Sequence, residues 1–356
     1  MNFIALEKTE FEKFAKKSPY KSFMQTPEIA EYREKNGWTP YYLGVEDGGE
    51  IKAASMLVAR PTFLGKSTYF APGGPLLDLE DTTLTNFFMR HLRHYIKTHN
   101  GYNLLIDPYY ELIERGRDGE PKENGFNHKK AAKNLKLNGF KEIKDGSMPK
   151  YLFTLTVKGR TPDQLFAELK RNTRNHVRKA EKAGVKIREL KREELSIFKK
   201  ITESTSKRRD FQDKPLKYYE QMYDLFHDKN EIKYILAEAP DGTPLSAAMF
   251  MLYGDEIVYL FSGSEEQYMK EYNAQYLIQW HMIKYASEHK FTTYNFYGIS
   301  GLPDKSDKDY GIYDFKKGFT TDETGKVVEL IGTYELPISQ IFYSLHSLLS
   351  KIKHRK

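Results

Sequence analysis

Residues 42–58, YLGVEDGGEIKAASMLV, and residues 234–252, YILAEAPDGTPLSAAMFML, read alike: an apolar strand, an Asp-Gly turn, and a second strand carrying Ala-Ala. Residues 102–108, YNLLIDP, and 294–300, YNFYGIS, match in the same way, each after a segment with helical periodicity, and both pairs start 192 residues apart. Asp-Gly hairpins are common enough to match by chance. Two matched elements at one offset imply a duplicated fold. A chain of 356 residues exceeds what one core usually serves, so two α/β domains are expected, each about 150 residues long.

Composition narrows the chemistry. Hydrophobic residues make up 39% of the chain, and no apolar run approaches the roughly 20 residues a bilayer requires. The opening MNFIALEKTEFEKF carries charges through its first helical turns and lacks the apolar centre of a signal peptide, so a cytoplasmic protein is expected. The absence of cysteine excludes a thiol nucleophile, disulfides and cysteine-ligated metal. No metal or cofactor is signposted, and no Gly-x-Ser-x-Gly elbow or phosphate-binding P-loop occurs.

The net charge of +7 is local in origin. Twelve Lys/Arg stand against four Asp/Glu between Lys158 and Arg192. Thr161 as N-cap, Pro162 at the first position and Gly184 past the end predict one helix over about 162–183. On it Lys170, Arg174, Arg178 and Lys182 recur every four residues beside an apolar side of Leu165, Phe166, Leu169, Val177 and Ala180. A solvated face is the plain reading of such a run. Cations at i,i+4 repel, however, so the stripe favours an anionic partner, the phosphates of RNA or of a pyrophosphate-bearing substrate. Further helices are expected over about 192–207, 216–227 and 273–289, then a strand, a loop, a short helix and a last hairpin turning at Thr324-Gly325. A hairpin, a helix and a strand beside it follow the order of acetyltransferase-type domains.

The segments SAAMFM, IVYLFSGS, AQYLIQWHMIKYA, YNFYGIS and DFKKGF, with the basic KRNTRNHVRKAEKAGV, resemble in type and order the Fem-type peptidoglycan aminoacyltransferases. The resemblance spans essentially the whole chain. It implies two tandem acetyltransferase-like domains, an α/β (α+β) fold, with residues 1–150 plus 330–356 forming a precursor-binding domain and 151–329 an aminoacyl-tRNA domain. YYEQMYDLFHDKN passes straight into IKYILAE, so the coiled-coil arm of many members is absent, as in FemX-like members. The implied reaction carries an amino acid from aminoacyl-tRNA to the stem-peptide amine of UDP-MurNAc-pentapeptide or lipid II, with a monomer and no cofactor. Two other classes compete: a coenzyme A-dependent N-acyltransferase, for which Ser262-Gly263-Ser264 is only a thin phosphate loop, and a non-catalytic RNA-binding protein.

The same resemblance assigns residues. Asp107 ends an apolar strand before Pro108; an Asp-Pro turn explains it equally, and a carboxylate is a poor base for an ammonium, so it is expected to position the amine. Tyr102 matches a substrate-contacting position. Lys35 matches a lysine holding the precursor's phosphates, although alone it reads as a helix C-terminal cation. Lys214 stands where the family often has arginine. Phe261 replaces a tyrosine of some members, which leaves Tyr259 or water to supply that hydroxyl. In the pair Phe315-Lys316, the lysine faces the catalytic cavity of the family and stabilises the oxyanion or the tRNA end, with Lys317 expected on the surface. Two lysines before Gly318 are also explained as favouring the negative end of a helix. Finally, residues 337–356 predict a helix with Ile341, Phe342, Leu345, Leu348, Leu349 and Ile352 on one side. That side is expected to pack on domain one, while the basic end, Lys351, Lys353, His354, Arg355 and Lys356, attracts the inner leaflet peripherally.

Overall fold

The computed structural model describes residues 1–356 apart from 145, 147, 303, 308 and 354–356, and no side chain is described at 347 or 349–353. The chain forms two compact units. Unit 1 comprises residues 1–114, 123–150 and 329–356, and unit 2 comprises 115–122 and 151–328. Among the described residues no helix is long and apolar enough to cross a membrane.

The first part of the chain forms β1 (Asn2–Ala5), α1 (Lys8–Lys17), α2 (Pro27–Lys35), β2 (Thr39–Asp47), β3 (Glu50–Pro61), β4 (Ser67–Ala71), α3 (Thr82–Thr98), β5 (Gly101–Ile106), β6 (Glu111–Glu114), α4 (Lys129–Leu137) and β7 (Lys141–Ile143). Then come β8 (Tyr151–Thr156), α5 (Pro162–Ala167), α6 (Arg171–Lys182), β9 (Lys186–Glu189), α7 (Leu195–Arg209), α8 (Leu216–Phe226), β10 (Ile232–Glu238), β11 (Pro244–Tyr253), β12 (Glu256–Ser264), α9 (Glu266–Tyr272), α10 (Ala274–Glu288), β13 (Thr293–Ile299), α11 (Tyr310–Lys317) and β14 (Gly325–Leu330). The chain closes with β15 (Thr333–Pro337) and α12 (Gln340–Lys353).

The two repeats become two equivalent runs of strands. In one sheet the order is β1-β2-β3-β4-β5-β15-β7; in the other β14-β8-β13-β12-β11-β10-β9 stand in order. The hairpins β2–β3 and β10–β11 are antiparallel, while β4–β5 and β12–β13 are parallel across their helical crossovers. Each crossover buries an apolar side: Phe88, Leu92 and Ile96 on α3, and Leu277, Ile278, Met282 and Ile283 on α10. Such burial contributes roughly 1.5–3 kcal/mol per large side chain.

One pair differs from its counterpart. β4 and β5 stay paired from Ser67 to Ala71, whereas β12 and β13 pair only at Glu256–Val258 with Thr293–Asn295. Beyond that point β12 remains paired to β11 through Ser264, and β13 turns away. The turn has a local cause. Tyr297 adopts φ +62°, its N–H donates to Asn295 Oδ1 at 2.7 Å, and the register with β8 breaks between Asn295 and Gly298.

Three expectations are corrected. The basic segment forms two helices, because Lys170 is extended and its N–H is taken by the Gly318 carbonyl at 2.9 Å, leaving it as the N-cap of α6. The last two strands do not pair as a hairpin: β14 joins β8 and β15 enters between β5 and β7. The C-terminal helix forms, but of its expected apolar side Phe342 alone packs among the described side chains. Phe342 and His346 lie against Phe63 with ring centroids at 6.3 and 5.8 Å, while Ile341, Leu345 and Leu348 are exposed. The expectations for Leu349, Lys351, Ile352, Lys353 and 354–356 lie outside the described side chains and residues.

Candidate active site

In unit 2 the open end of β12 and β13 is met by α11. Its Lys316 is 6% exposed, and the ammonium nitrogen donates to the Gly298 carbonyl at 2.5 Å, the group that the kink at Tyr297 turns inward. Among the described residues no carboxylate pairs with it. Burial alone pushes its pKa down from 10.5 to about 7. Phe315 packs edge-on against Tyr276 of α10 at 4.9 Å and against Phe319 at 5.4 Å, which fixes the turn carrying Lys316. Gly318 is required there for space: a Cβ would come within 2.5 Å of Thr173 Oγ1 on α6.

Lys317 is not a surface residue. Its side chain is 14% exposed, pairs with Asp118 and lies 5.4 Å from the Tyr313 ring, while Arg117 donates to its carbonyl at 3.0 Å. Burial and the nearby Arg117 charge lower its pKa. The residues that enclose it come from the 115–122 segment, far away in sequence.

Two more predicted residues come together in unit 2. The Lys214 ammonium stands 5.8 Å from the Tyr218 ring, which meets Phe261 edge-on at 5.8 Å. Beneath them the Asp213 carboxylate, 5% exposed, accepts from Lys199 Nζ at 2.7 Å, Thr202 Oγ1 at 2.8 Å, Tyr219 OH at 2.5 Å and the Lys214 N–H at 2.8 Å. Burial would raise its pKa, and the donors from Lys199, Tyr219 and Thr202 overcome this and hold it low. Tyr259 does not stand open in place of the missing hydroxyl at Phe261; its OH is engaged by Ser262 and by Gln275 Nε2 at 3.0 Å.

The basic stripe is partly satisfied within the unit. Lys170 pairs with Asp314 at 2.9 Å, Arg174 donates to the Ala167 carbonyl, and Arg178 lies 5.4 Å from the Phe166 ring. Arg178 and Lys182 are exposed. The repulsion along the stripe is thus offset at Lys170 by a carboxylate and at Arg174 by a carbonyl.

In unit 1 Asp107 is 2% exposed and accepts from the Gly73 N–H at 2.6 Å. It braces the 72–75 turn from one side. From the other, Gln25 donates to Pro72 and Met56 carbonyls at 2.7 and 2.9 Å. Tyr102 does not line an open surface: it is 1% exposed beneath Phe63 and His346, because α12 lies over β5. Lys35 is exposed and pairs with Glu31 at 2.9 Å. Near it, Arg33 sits over the rings of Tyr32, Trp38 and Phe70 at 5.9, 5.7 and 5.6 Å.

Sequence reasoning missed Asp213, Tyr218, Tyr276 and Tyr297. Asp213 and Tyr218 flank Lys214 closely enough to have been weighed with it. The kink at Tyr297 carries no glycine signal.

Two sheets with matching hairpin, crossover and parallel strand, one strand pair open beside a buried lysine, define a tandem acetyltransferase-like protein. The comparisons agree on the fold: the clavulanic acid pathway's tandem GNAT protein, solved without AcCoA, superposes with a TM-score of 0.53 at 11% identity over 95% of this chain and 98% of that one. A solved FemX structure superposes with a TM-score of 0.82 at 22% identity, covering 97% and 99%. The FemAB family model matches residues 6–241 and 230–351, and the chain belongs to the FemAB family. The aminoacyltransferase FemA of Staphylococcus aureus (strain bovine RF122 / ET3-1) is 27% identical over 423 aligned positions covering 100% of both chains, so that relative carries residues this chain lacks. Here α8 ends at Phe226 and β10 begins at Ile232 with one short 3-10 turn between, which leaves no arm at that point.

Proposed function

We propose that this chain transfers an amino acid from aminoacyl-tRNA to the stem-peptide amine of a peptidoglycan precursor, UDP-MurNAc-pentapeptide or lipid II, building the interpeptide bridge. Unit 2 takes the aminoacyl-tRNA side and unit 1 the precursor. The amine nitrogen attacks the ester carbonyl carbon, the carbon–ribose oxygen bond breaks, and the ribose oxygen leaves with a proton as the amide forms. The attacking ammonium, with a solution pKa near ~10.4, must first lose a proton. The oxyanion that follows needs a cation or donors.

The observation that carries this reading is Lys316, buried at the open strand end with a pKa near 7. A neutral amine there accepts a proton, and the resulting ammonium stabilises the oxyanion or the charged tRNA end. Phe315 shapes that site. Lys214 beside Tyr218 and Phe261 is a phosphate contact, Lys35 another cation for the precursor, and Asp107 orients its turn rather than acting as a base. Arg178 and Lys182, with lesser parts for Lys170 and Arg174, meet tRNA phosphates. The chain acts in the cytoplasm, where aminoacyl-tRNA is made, as a monomer touching the inner leaflet peripherally.

Coenzyme A fits less well. Gly263 lies inside β12, where a Cβ would meet the Ile201 carbonyl oxygen at 2.4 Å, and α9 opens with Glu265 and Glu266, carboxylates where a pyrophosphate would need positive potential. A merely RNA-binding protein has no use for a buried, readily neutralised lysine. The test is to incubate the protein with charged tRNA pools and each precursor and to weigh the product. A mass increase of one aminoacyl residue is expected; transfer from acetyl-CoA but not from tRNA would overturn the reading.

A further inference from the structure

Helix α12 has two unlike sides. One docks on unit 1, where Tyr343 OH donates to Glu335 Oε2 at 2.5 Å and Phe342 and His346 meet Phe63. The other presents Ile341, 79% exposed, Leu345, 36%, and Leu348, 57%, at the i, i+4, i+7 spacing of one ridge. Next to Phe63, at the tip joining β3 and β4, Leu64 is 73% exposed and adopts φ +51°. A left-handed conformation is unfavourable for a residue with a Cβ, and glycine or asparagine is its usual occupant. The turn is closed by hydrogen bonds from the Thr62 and Lys66 N–H groups to the Lys66 and Phe63 carbonyls at 2.8 and 3.0 Å, which hold the leucine side chain out toward solvent. Four large exposed apolar groups thus stand on α12 and on the tip whose Phe63 touches it, where exposed apolar residues ordinarily scatter singly.

Against the Glu335 carboxylate on the docked side stand several cations. The Lys66 ammonium lies 5.0 Å from the Phe342 ring, and the sequence runs on through Lys351, Lys353, His354, Arg355 and Lys356 with no acidic residue from Gln340 onward. An apolar ridge beside a purely cationic end is the pattern of a helix lying in a membrane interface. We propose that the exposed ridge of α12 and the Leu64 tip form a docking surface for an anionic phospholipid bilayer, with α12 in the plane of the headgroups. The surface gives the peripheral contact a definite location, and it stands or falls apart from the transfer reaction.

The test is sedimentation of the full chain with phosphatidylcholine vesicles, with and without phosphatidylglycerol, at low and moderate salt. Wild type is expected to bind the anionic vesicles and to weaken as salt rises. The triple variant Leu64→Ser, Ile341→Ser, Leu348→Ser should bind them about tenfold or more weakly, because three exposed apolar groups no longer enter the interface. Its circular dichroism and its transfer to a water-soluble acceptor should match wild type, as none of the three positions lies in the proposed transfer site. Failure of wild type to bind overturns the proposal. So does equal binding by the triple variant, which would assign adsorption to the cations of α6. A wild-type dimer that the triple variant dissolves would also overturn it, in favour of a second copy of the chain.

Discussion

A lysine nitrogen whose one described partner is a backbone carbonyl is destabilising when charged, and the folded protein carries that cost at Lys316 for a reason other than packing. Its folded pKa, about 7, lies below the ordinary 10.5, so between those values the unfolded chain holds a proton that the folded chain does not. The sign follows: stability rises with pH through that window, and the full penalty applies below pH 7. Lys316→Met should therefore stabilise the protein at pH 7, by a few kcal/mol at most, and should flatten the rise toward alkaline pH. Thermal unfolding from pH 6.5 to 10 reads both. Lys316→Ala should lower kcat by roughly 10²–10³ with little change in KM, and arginine should not restore it, since a planar fork cannot replace a compact amine in a closed site. Lys317 is the contrasting neighbour. Its alanine variant loses the Asp118 pair and the contact with Tyr313, costing about 0.5–1 kcal/mol in thermal unfolding, with kcat within a few-fold of wild type. The resemblance set Lys316 apart from Lys317, but the sequence could not show that Lys317 is enclosed, because Asp118 and Arg117 reach it only through the fold.

Among elements, the interruption between α5 and α6 redistributes what one long helix would have shared evenly. Arg174 turns back to the carbonyl of Ala167 and Lys170 to Asp314, whereas Arg178 and Lys182 face outward. Replacing Arg178 and Lys182 together by Gln should reduce the slope of log affinity for aminoacyl-tRNA against log salt by about 1.5, two contacts at roughly 0.7–0.9 per phosphate. Arg174→Gln should change it less. Filter binding across a salt series measures the slopes, and equal slopes in all proteins would return the stripe to plain surface. The segment between α7 and α8 depends in turn on Asp213. Asp213→Ala leaves Lys199 without its buried carboxylate and frees Lys214, which should cost about 2–4 kcal/mol and raise KM for the precursor more than it lowers kcat. The Thr161 N-cap, Pro162 and the glycine after α6 were legible as local chemistry. The interruption itself was not, since it arises from the Gly318 carbonyl claiming the Lys170 N–H.

For the whole molecule, duplication was the most legible property, because an Asp-Gly hairpin and an apolar strand announce themselves within a few residues. The exchange of segments was less so. β15 lies inside its sheet, with Tyr334 opposite Ile106 on one side and Glu142 on the other, and the residues 115–122 serve unit 2 although they interrupt unit 1. A chain ending after Leu330 should thus leave β5 and β7 without the strand that joins them. Such a truncation should lose the cooperative unfolding of unit 1 while keeping that of unit 2, as calorimetry and limited proteolysis would report. The placement of β15 also sets an order of events during synthesis. All segments of unit 2 precede residue 329, so it can be complete while the ribosome still holds the last strand of unit 1. The usual expectation that the domain begun first is finished first is reversed here: the strands of unit 1 made before unit 2 must wait, with the edge of β5 uncovered, until β15 arrives.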